Sequence, residues 1–187
     1  MDSEGLVNDR KGDWMQTYTG KQFWPGDPRV GDFDILDIAH GLSNVCRFSG
    51  QCNQFYSVAE HAYWVSLECD PADALEGLLH DTTEAYLSDL VTAVKKLVPE
   101  YKVLEKNMEE VVAKQFGLWY PWPVSVQKAD LTVLMAEARD NLERPPRAWA
   151  IDVPPMEQKI ACWTPAEAKG HFLSRYEELR AVRAGTA

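Results

Sequence analysis

Cysteine is scarce in this 187-residue chain: only Cys46, Cys52, Cys69 and Cys162, with no C-x-x-C pair among them. That spacing argues against a cysteine zinc site, and the thiols are expected to be free, small core residues in a reducing compartment. Positive charge is also short, with 19 Lys and Arg against 29 Asp and Glu, a formal net charge of −10. Non-specific attraction to a nucleic-acid polymer or an anionic membrane is therefore not expected, because phosphate surfaces recruit basic patches. A local basic pocket for a small anion stays open. No apolar run approaches the roughly 20 residues of a membrane span. The opening stretch "MDSEGLVNDRKGDW" lacks the apolar run of a signal peptide. Internal repeats and low-complexity segments are missing, and strand signals are almost absent. The expectation is a cytoplasmic protein.

What the chain does have is a core. Hydrophobic residues make up 45% and aromatics 11%, enough to fold one domain of this length. Residues 1–32, rich in Gly, Pro and polar groups, read as an irregular arm. Its Trp14, Tyr18, Phe23 and Trp24 suggest packing on the body or on a neighbouring subunit. Residues 33–187 read as a helical core. "FDILDIAHGLSNVC" carries helical apolar spacing, and Ser57 with Glu60 gives a capping-box pattern before "VAEHAYWVSLEC". Asp70–Pro71 opens "PADALEGLLHDTTEAYL", read as one helix. "LVTAVKKLV" is a short helix, and "EYKVLEKNMEEVVAKQF" a long amphipathic one closed by Gly117. After "WYPWP" a helix runs through "SVQKADLTVLMAEARDNL". Residues 144–163 form a proline-bearing loop, and Thr164, Pro165 and Glu167 open the last helix. The expected fold is all-α: a single-domain bundle of six or seven helices.

The chemistry concentrates in "GLLHDTTEAYLSDL". His80 and Glu84, four apart in a helix, would share a face, and Asp81 and Glu84 would be neighbours. An imidazole and a carboxylate suit a divalent cation, and a further carboxylate can hold or deprotonate a water. His61 lies on the preceding predicted helix. Asp130 lies in an apolar-periodic helix, where an acid is rarely buried without a partner. Two His and two Asp from three helices would make a mixed nitrogen and oxygen site in a bundle core. Arg47 offers a planar fork for phosphate oxygens. Lys95, Lys96 and Lys128 lie near the site in sequence, with Lys96 expected to be solvated.

Several residues call for blander roles. His40 is expected to be structural and His171 to lie at the surface or in packing. Trp24 and Trp64 fit core packing better than a ligand pocket. "EARDNLERPPR" reads as a solvated helix end followed by loop. The cations of "RYEELRAVRAG" suit a helix C-terminus.

"YSVAEHA", "LLHDTTEAYLSDL", "VK" and "KAD" occur in an order and spacing that resemble the HD-domain phosphohydrolases. The likeness is to the 5'-deoxynucleotidase-like branch and to small phage-type HD enzymes that hydrolyse dATP. It covers roughly residues 33–142. The resemblance implies one divalent ion (Mn, Co, Fe, Ni, Mg or Zn) on His61, His80, Asp81 and Asp130. It implies that Glu84 positions or activates the attacking water and that Asp89 sits near the sugar or assists the leaving group. Arg47 and Lys95 would bind phosphate. Where the family often has Trp after this Arg, the chain has Phe48, so a base stack remains available and base preference stays open. The implied substrate is a 2'-deoxynucleotide and the implied assembly a homo-oligomer; a phage-encoded chain would work in its host's cytoplasm. Chain length and the "FWPGDP" arm incline toward a dATP or dNTP triphosphohydrolase, releasing deoxynucleoside and triphosphate. The alternatives are a 5'-deoxynucleotidase acting on dNMPs and, in another class, a non-catalytic metal- or nucleotide-binding module. A di-iron oxygenase would need more His ligands than the two that remain, His40 and His171.

Overall fold

The computed structural model describes residues 9–185; the first eight residues of the opening stretch lie outside them. It is an all-α single-domain bundle with one small two-stranded sheet. That sheet sits in the arm, where β1 (Met15–Gln16) pairs antiparallel with β2 (Gln22–Phe23), Met15 opposite Phe23. The arm packs on the body. Phe23 is fully buried, stacked on Tyr86 and edge-on to Phe33, while buried Asp37 accepts from the Thr19 backbone and hydroxyl. Trp24 is buried under Arg10. Trp14 and Tyr18 stay exposed.

α1 (Ile35–Asn44) starts at Asp34, whose side chain accepts from Leu36 N–H. α2 (Val58–Glu68) is the centre of the molecule, packed on α1, α3, α7 and α8. Ser57 caps α2 by accepting from Glu60 N–H, but the capping box is only half made. The Glu60 carboxylate is buried and instead accepts from the backbone of Ala161, Cys162 and Trp163. It pins the far end of the long loop onto the central helix. Local sequence reads the Ser half correctly because that bond is local. The Glu half depends on a loop a hundred residues away.

The segment read as one helix from Pro71 to Leu87 is broken. A 3₁₀ turn (Pro71–Asp73) leads into α3 (Ala74–Leu79), then turns, then the single turn of α4 (Glu84–Leu87). Backbone bonds at the break run three residues back: Thr82 N–H to Leu79 O and Glu84 N–H to Asp81 O. His80 itself keeps right-handed helical angles, φ −62° and ψ −35°, and the donors of the tighter bonds come after it. Gly41 explains part of the geometry, since a Cβ there would meet Ala85 at 2.8 Å; α1 and α4 touch backbone to backbone.

α5 (Thr92–Lys95) is one turn. α6 (Pro99–Phe116) ends on Gly117, which holds a left-handed φ of 66° and donates to Ala113 O. α7 (Val124–Asn141) buries Val126, Ala129, Val133, Ala136, Glu137 and Asn141 along one face. α8 (Pro165–Arg183) opens with the complete Thr164–Glu167 capping box. Its end is tied to α3, where buried Glu76 accepts from Arg183. Among the described residues no helix is long and apolar enough to cross a membrane.

Candidate metal centre

Three helices and one turn bring the ligand candidates together. His61 comes from the middle of α2, His80 from the end of α3, Asp81 from the following turn and Asp130 from α7. One ligand atom each from His61, His80 and Asp130 lies within 4.8 Å of the others. His61 Nε2 stands 3.2 Å from Asp130 Oδ1. Asp81 stands beside this trio, its Oδ2 3.3 Å from His80 Nε2 and 3.6 Å from His61 Nε2.

The imidazoles are oriented from behind. His61 Nδ1 donates to Glu137 Oε1 at 2.6 Å, and His80 Nδ1 to Gly77 O at 2.8 Å. A carbonyl or carboxylate partner keeps the proton on Nδ1, which leaves the Nε2 lone pair facing the cluster. Both Nε2 atoms are buried and have no hydrogen-bond partner among the described residues, although carboxylate oxygens lie at ion-pair distance. Burying such atoms unpartnered is costly. Two lone pairs converging beside two carboxylates fit a divalent ion, and the mixed nitrogen and oxygen donors suit a first-row transition metal. The His61–His80–Asp130 cluster could hold a metal ion.

Charge follows the same logic. Burial works against the charged form of each His, yet the neighbouring carboxylates outweigh it. His61, facing Glu137 and Asp130, is raised to about 8; His80, facing Asp81 and Asp130, to about 9. Asp81 and Asp130 are burdened by burial but held below the usual carboxylate range by the two imidazoles. Without an ion, the cluster holds protons. A metal must displace them, so Mn²⁺ affinity is expected to fall as pH drops through about 9 and about 8. One displaced proton corresponds to about tenfold per pH unit, two to more. Calorimetric titration across that range checks this, and a pH-independent affinity would remove the imidazoles from the ligand set.

A cavity of about 590 Å³ opens over the cluster, lined by Asp81 and Asp130 together with Arg47, Phe48, Glu84, Asp89, Leu134, Trp149, the stretch from Leu90 to Ala93, and Lys95. Glu84 is buried here. Burial first, then Asp81 and Asp89, push its carboxyl well above the usual range. Its Oε1 lies 3.4 Å from Lys95 Nζ, while Oε2 has no partner. Lys95 is not a loose cation, because Glu105 also binds it at 2.7 Å. Lys96 and Lys128 are exposed, and neither lines this cavity.

Arg47 and Phe48 sit on a turn anchored at both ends. Arg47 N–H donates to Tyr56 O, and Asn141 pairs with Gln54 through both side-chain atoms. Phe48 and Ser49 hold left-handed φ of 56° and 52°. Such a conformation costs about 1–2 kcal/mol per residue. Asp89 Oδ2 accepts from Phe48 N–H at 3.3 Å and helps keep the turn. The Arg47 guanidinium stands 5.4 Å from the Phe48 ring centroid.

Two participants were missed in the sequence. Glu137 is fully buried behind His61 and Arg47, which corrects the reading of "EARDNLERPPR" as a solvated helix end; Asn141 is buried as well. The signal was present: Glu137 follows Asp130 by seven residues, two turns along one helix. Trp149 reaches the cavity from the long loop, where no periodicity flags it. His40 stacks on Tyr18, His171 on Trp163, and Trp64 packs against Trp163; none of these residues, nor Trp24, lines the cavity. Of the cysteines only Cys69 is buried.

The fold and site define a helical protein with a three-helix His and Asp cluster suited to a metal ion. No known protein-family profile matches the chain. It is 35% identical over 173 residues to the uncharacterized protein YfdR of Escherichia coli K12, an overlap covering 91% of this chain and 97% of YfdR. It is 34% identical over 141 residues to the uncharacterized protein RCAP_rcc00048 of Rhodobacter capsulatus, covering 70% of this chain and 72% of that protein. The chain belongs to the YfdR family.

Proposed function

We propose that the protein is a metal-dependent phosphohydrolase of 2'-deoxynucleotides. The observation that carries this reading is the pair of unpartnered imidazole nitrogens beside Asp81 and Asp130, under a cavity that also holds Arg47 and Glu84. A divalent ion on His61, His80, Asp81 and Asp130 would supply Lewis acidity and lower the pKa of water. The positive charge of a bound ion would favour the ionised form of Glu84, which would then take the proton of the attacking water through Oε2. Arg47 grips the phosphate with the guanidinium edge that Glu137 leaves open, offsetting charge as it develops. Lys95 holds Glu84 in place and adds positive field. Asp89 lies by the sugar, where it would crowd a 2'-hydroxyl. Phe48 and Trp149 are the aromatic faces available to a base.

The charge of the cavity bears on how many phosphates it takes. Its lining offers two cations, Arg47 and Lys95, against Asp81, Glu84, Asp89 and Asp130. Lys95 is further shared between two carboxylates. A monophosphate can be matched by Arg47 and one ion. A triphosphate tail has little to meet it, which favours 5'-deoxynucleotidase chemistry over the dATP triphosphohydrolase toward which the sequence resemblance inclines.

The test is product analysis on a nucleotide panel. Purified protein with Mn²⁺ or Co²⁺ is incubated with each dNMP, dNDP and dNTP and the matching ribonucleotides. The expected outcome is deoxynucleoside and inorganic phosphate from dNMPs, with ribonucleotides slower. Triphosphate release from dATP would restore the triphosphohydrolase. No release from any nucleotide by metal-loaded protein would leave a binding module.

A further inference from the structure

We infer that Glu137 is a positioning residue that locks the metal half of the site to the phosphate half. It divides its two oxygens between them. Oε1 accepts from His61 Nδ1 at 2.6 Å, and Oε2 accepts from both Nε and Nη2 of Arg47 at 3.2 Å. Glu137 is fully buried and does not line the cavity, so it cannot touch substrate. It works from behind both groups.

Each contact has a defined consequence. A carboxylate on Nδ1 fixes the tautomer and ring plane of His61 and raises the basicity of Nε2. The same carboxylate fixes the plane of the guanidinium and occupies one edge, leaving Nη1 directed toward Asp81 at 3.8 Å. Asp81 also stands between His61 and Arg47, but at 3.6 and 3.8 Å and on the cavity side. Only Glu137 holds both at hydrogen-bond distance among the described contacts. A shift of this one side chain turns a ligand and a phosphate-binding group together. The metal half of the inference stands on geometry alone; the phosphate half rests on the phosphohydrolase reading.

The experiment separates coupling from simple support of the fold. Glu137→Gln keeps size and burial, and circular dichroism checks that it folds. Mn²⁺ affinity, measured without nucleotide, is expected to fall about 10–100-fold, the range for a lost outer partner of a metal ligand. The visible absorption of bound Co²⁺, which reports ligand geometry, is expected to change. Affinity of metal-free protein for dAMP is expected to fall as well. Arg47→Ala is the contrast: it should weaken dAMP but leave Mn²⁺ affinity within about threefold, because His61 keeps its partner. If Glu137→Gln does not fold, Glu137→Asp replaces it; the shorter side chain keeps the charge but reaches only one of the two groups, so one affinity should fall. A folded variant with wild-type Mn²⁺ affinity, Co²⁺ spectrum and dAMP affinity would overturn the inference. An inactive nucleotide panel would not, since the Mn²⁺ and Co²⁺ readouts need no turnover.

Discussion

His80→Ala is expected to leave a folded chain that takes up no Mn²⁺ and has no measurable turnover. Its Nε2 is one of two buried imidazole nitrogens without a hydrogen-bond partner among the described residues, and it faces Asp81 at 3.3 Å. Loss of a ligand should exceed the roughly 10–100-fold penalty of a lost outer partner. The cleanest readout is thermal. An ion that binds only the native state stabilises it by about 2.7 kcal/mol at a hundred times its Kd. Wild-type protein should therefore melt later when Mn²⁺ replaces EDTA, and His80→Ala should melt at one temperature in both. Substitution of a buried His also lowers stability by itself, so the shift within each variant is the quantity to compare. An undiminished Mn²⁺ shift in His80→Ala would move the metal site elsewhere.

The His61, His80 and Asp130 cluster was legible in the sequence because each piece had a local signature. His61 followed a capping Ser, the His-Asp pair sat in an apolar run, and Asp130 interrupted a periodic helix. The structure assembles His61, His80 and Asp130 as that pattern implies. The long helices were legible for the same reason. Thr164 and Glu167 satisfy each other within four residues, and Gly117 stops α6 by its own left-handed φ.

What stayed hidden depends on distant partners. Glu60 matches a capping box, but three backbone N–H groups of the long loop draw its carboxylate away. Glu137 looks like any acid near a helix end until Arg47 and His61 arrive from other elements. Lys95 looks like a free phosphate ligand until Glu105 crosses to it from α6. The break after Leu79 is hidden as well. Nothing in "LLHDTTEAYL" forbids a continuous α-helix; the tighter turn appears where His80, Asp81 and Glu84 are each committed to the site.

Glu84→Gln is expected to slow turnover by about 10²–10⁴-fold, the scale of a lost general base, while metal affinity is kept. Glu84 Oε2 is the one buried carboxylate oxygen without a partner among the described residues, so it is held ready for something the protein itself does not supply. Stability should move the other way. Burial, with Asp81 and Asp89 nearby, raises the carboxyl pKa in the folded state. Below the ordinary carboxylate pKa both folded and unfolded chains are protonated, and the group makes no difference. As pH rises past it, only the unfolded chain ionises freely, and folding stability is lost. Gln cannot ionise and escapes that loss. Metal-free Glu84→Gln should therefore match or exceed wild-type stability near neutral pH, with the gap closing toward acid. A residue kept for packing would give the reverse: lower stability and turnover within about threefold of wild type, far short of a lost general base. Were Glu84 that base, its buried, acidic setting would weaken the resting fold in exchange for reactivity, so the opposite signs of the two measurements decide which role Glu84 has.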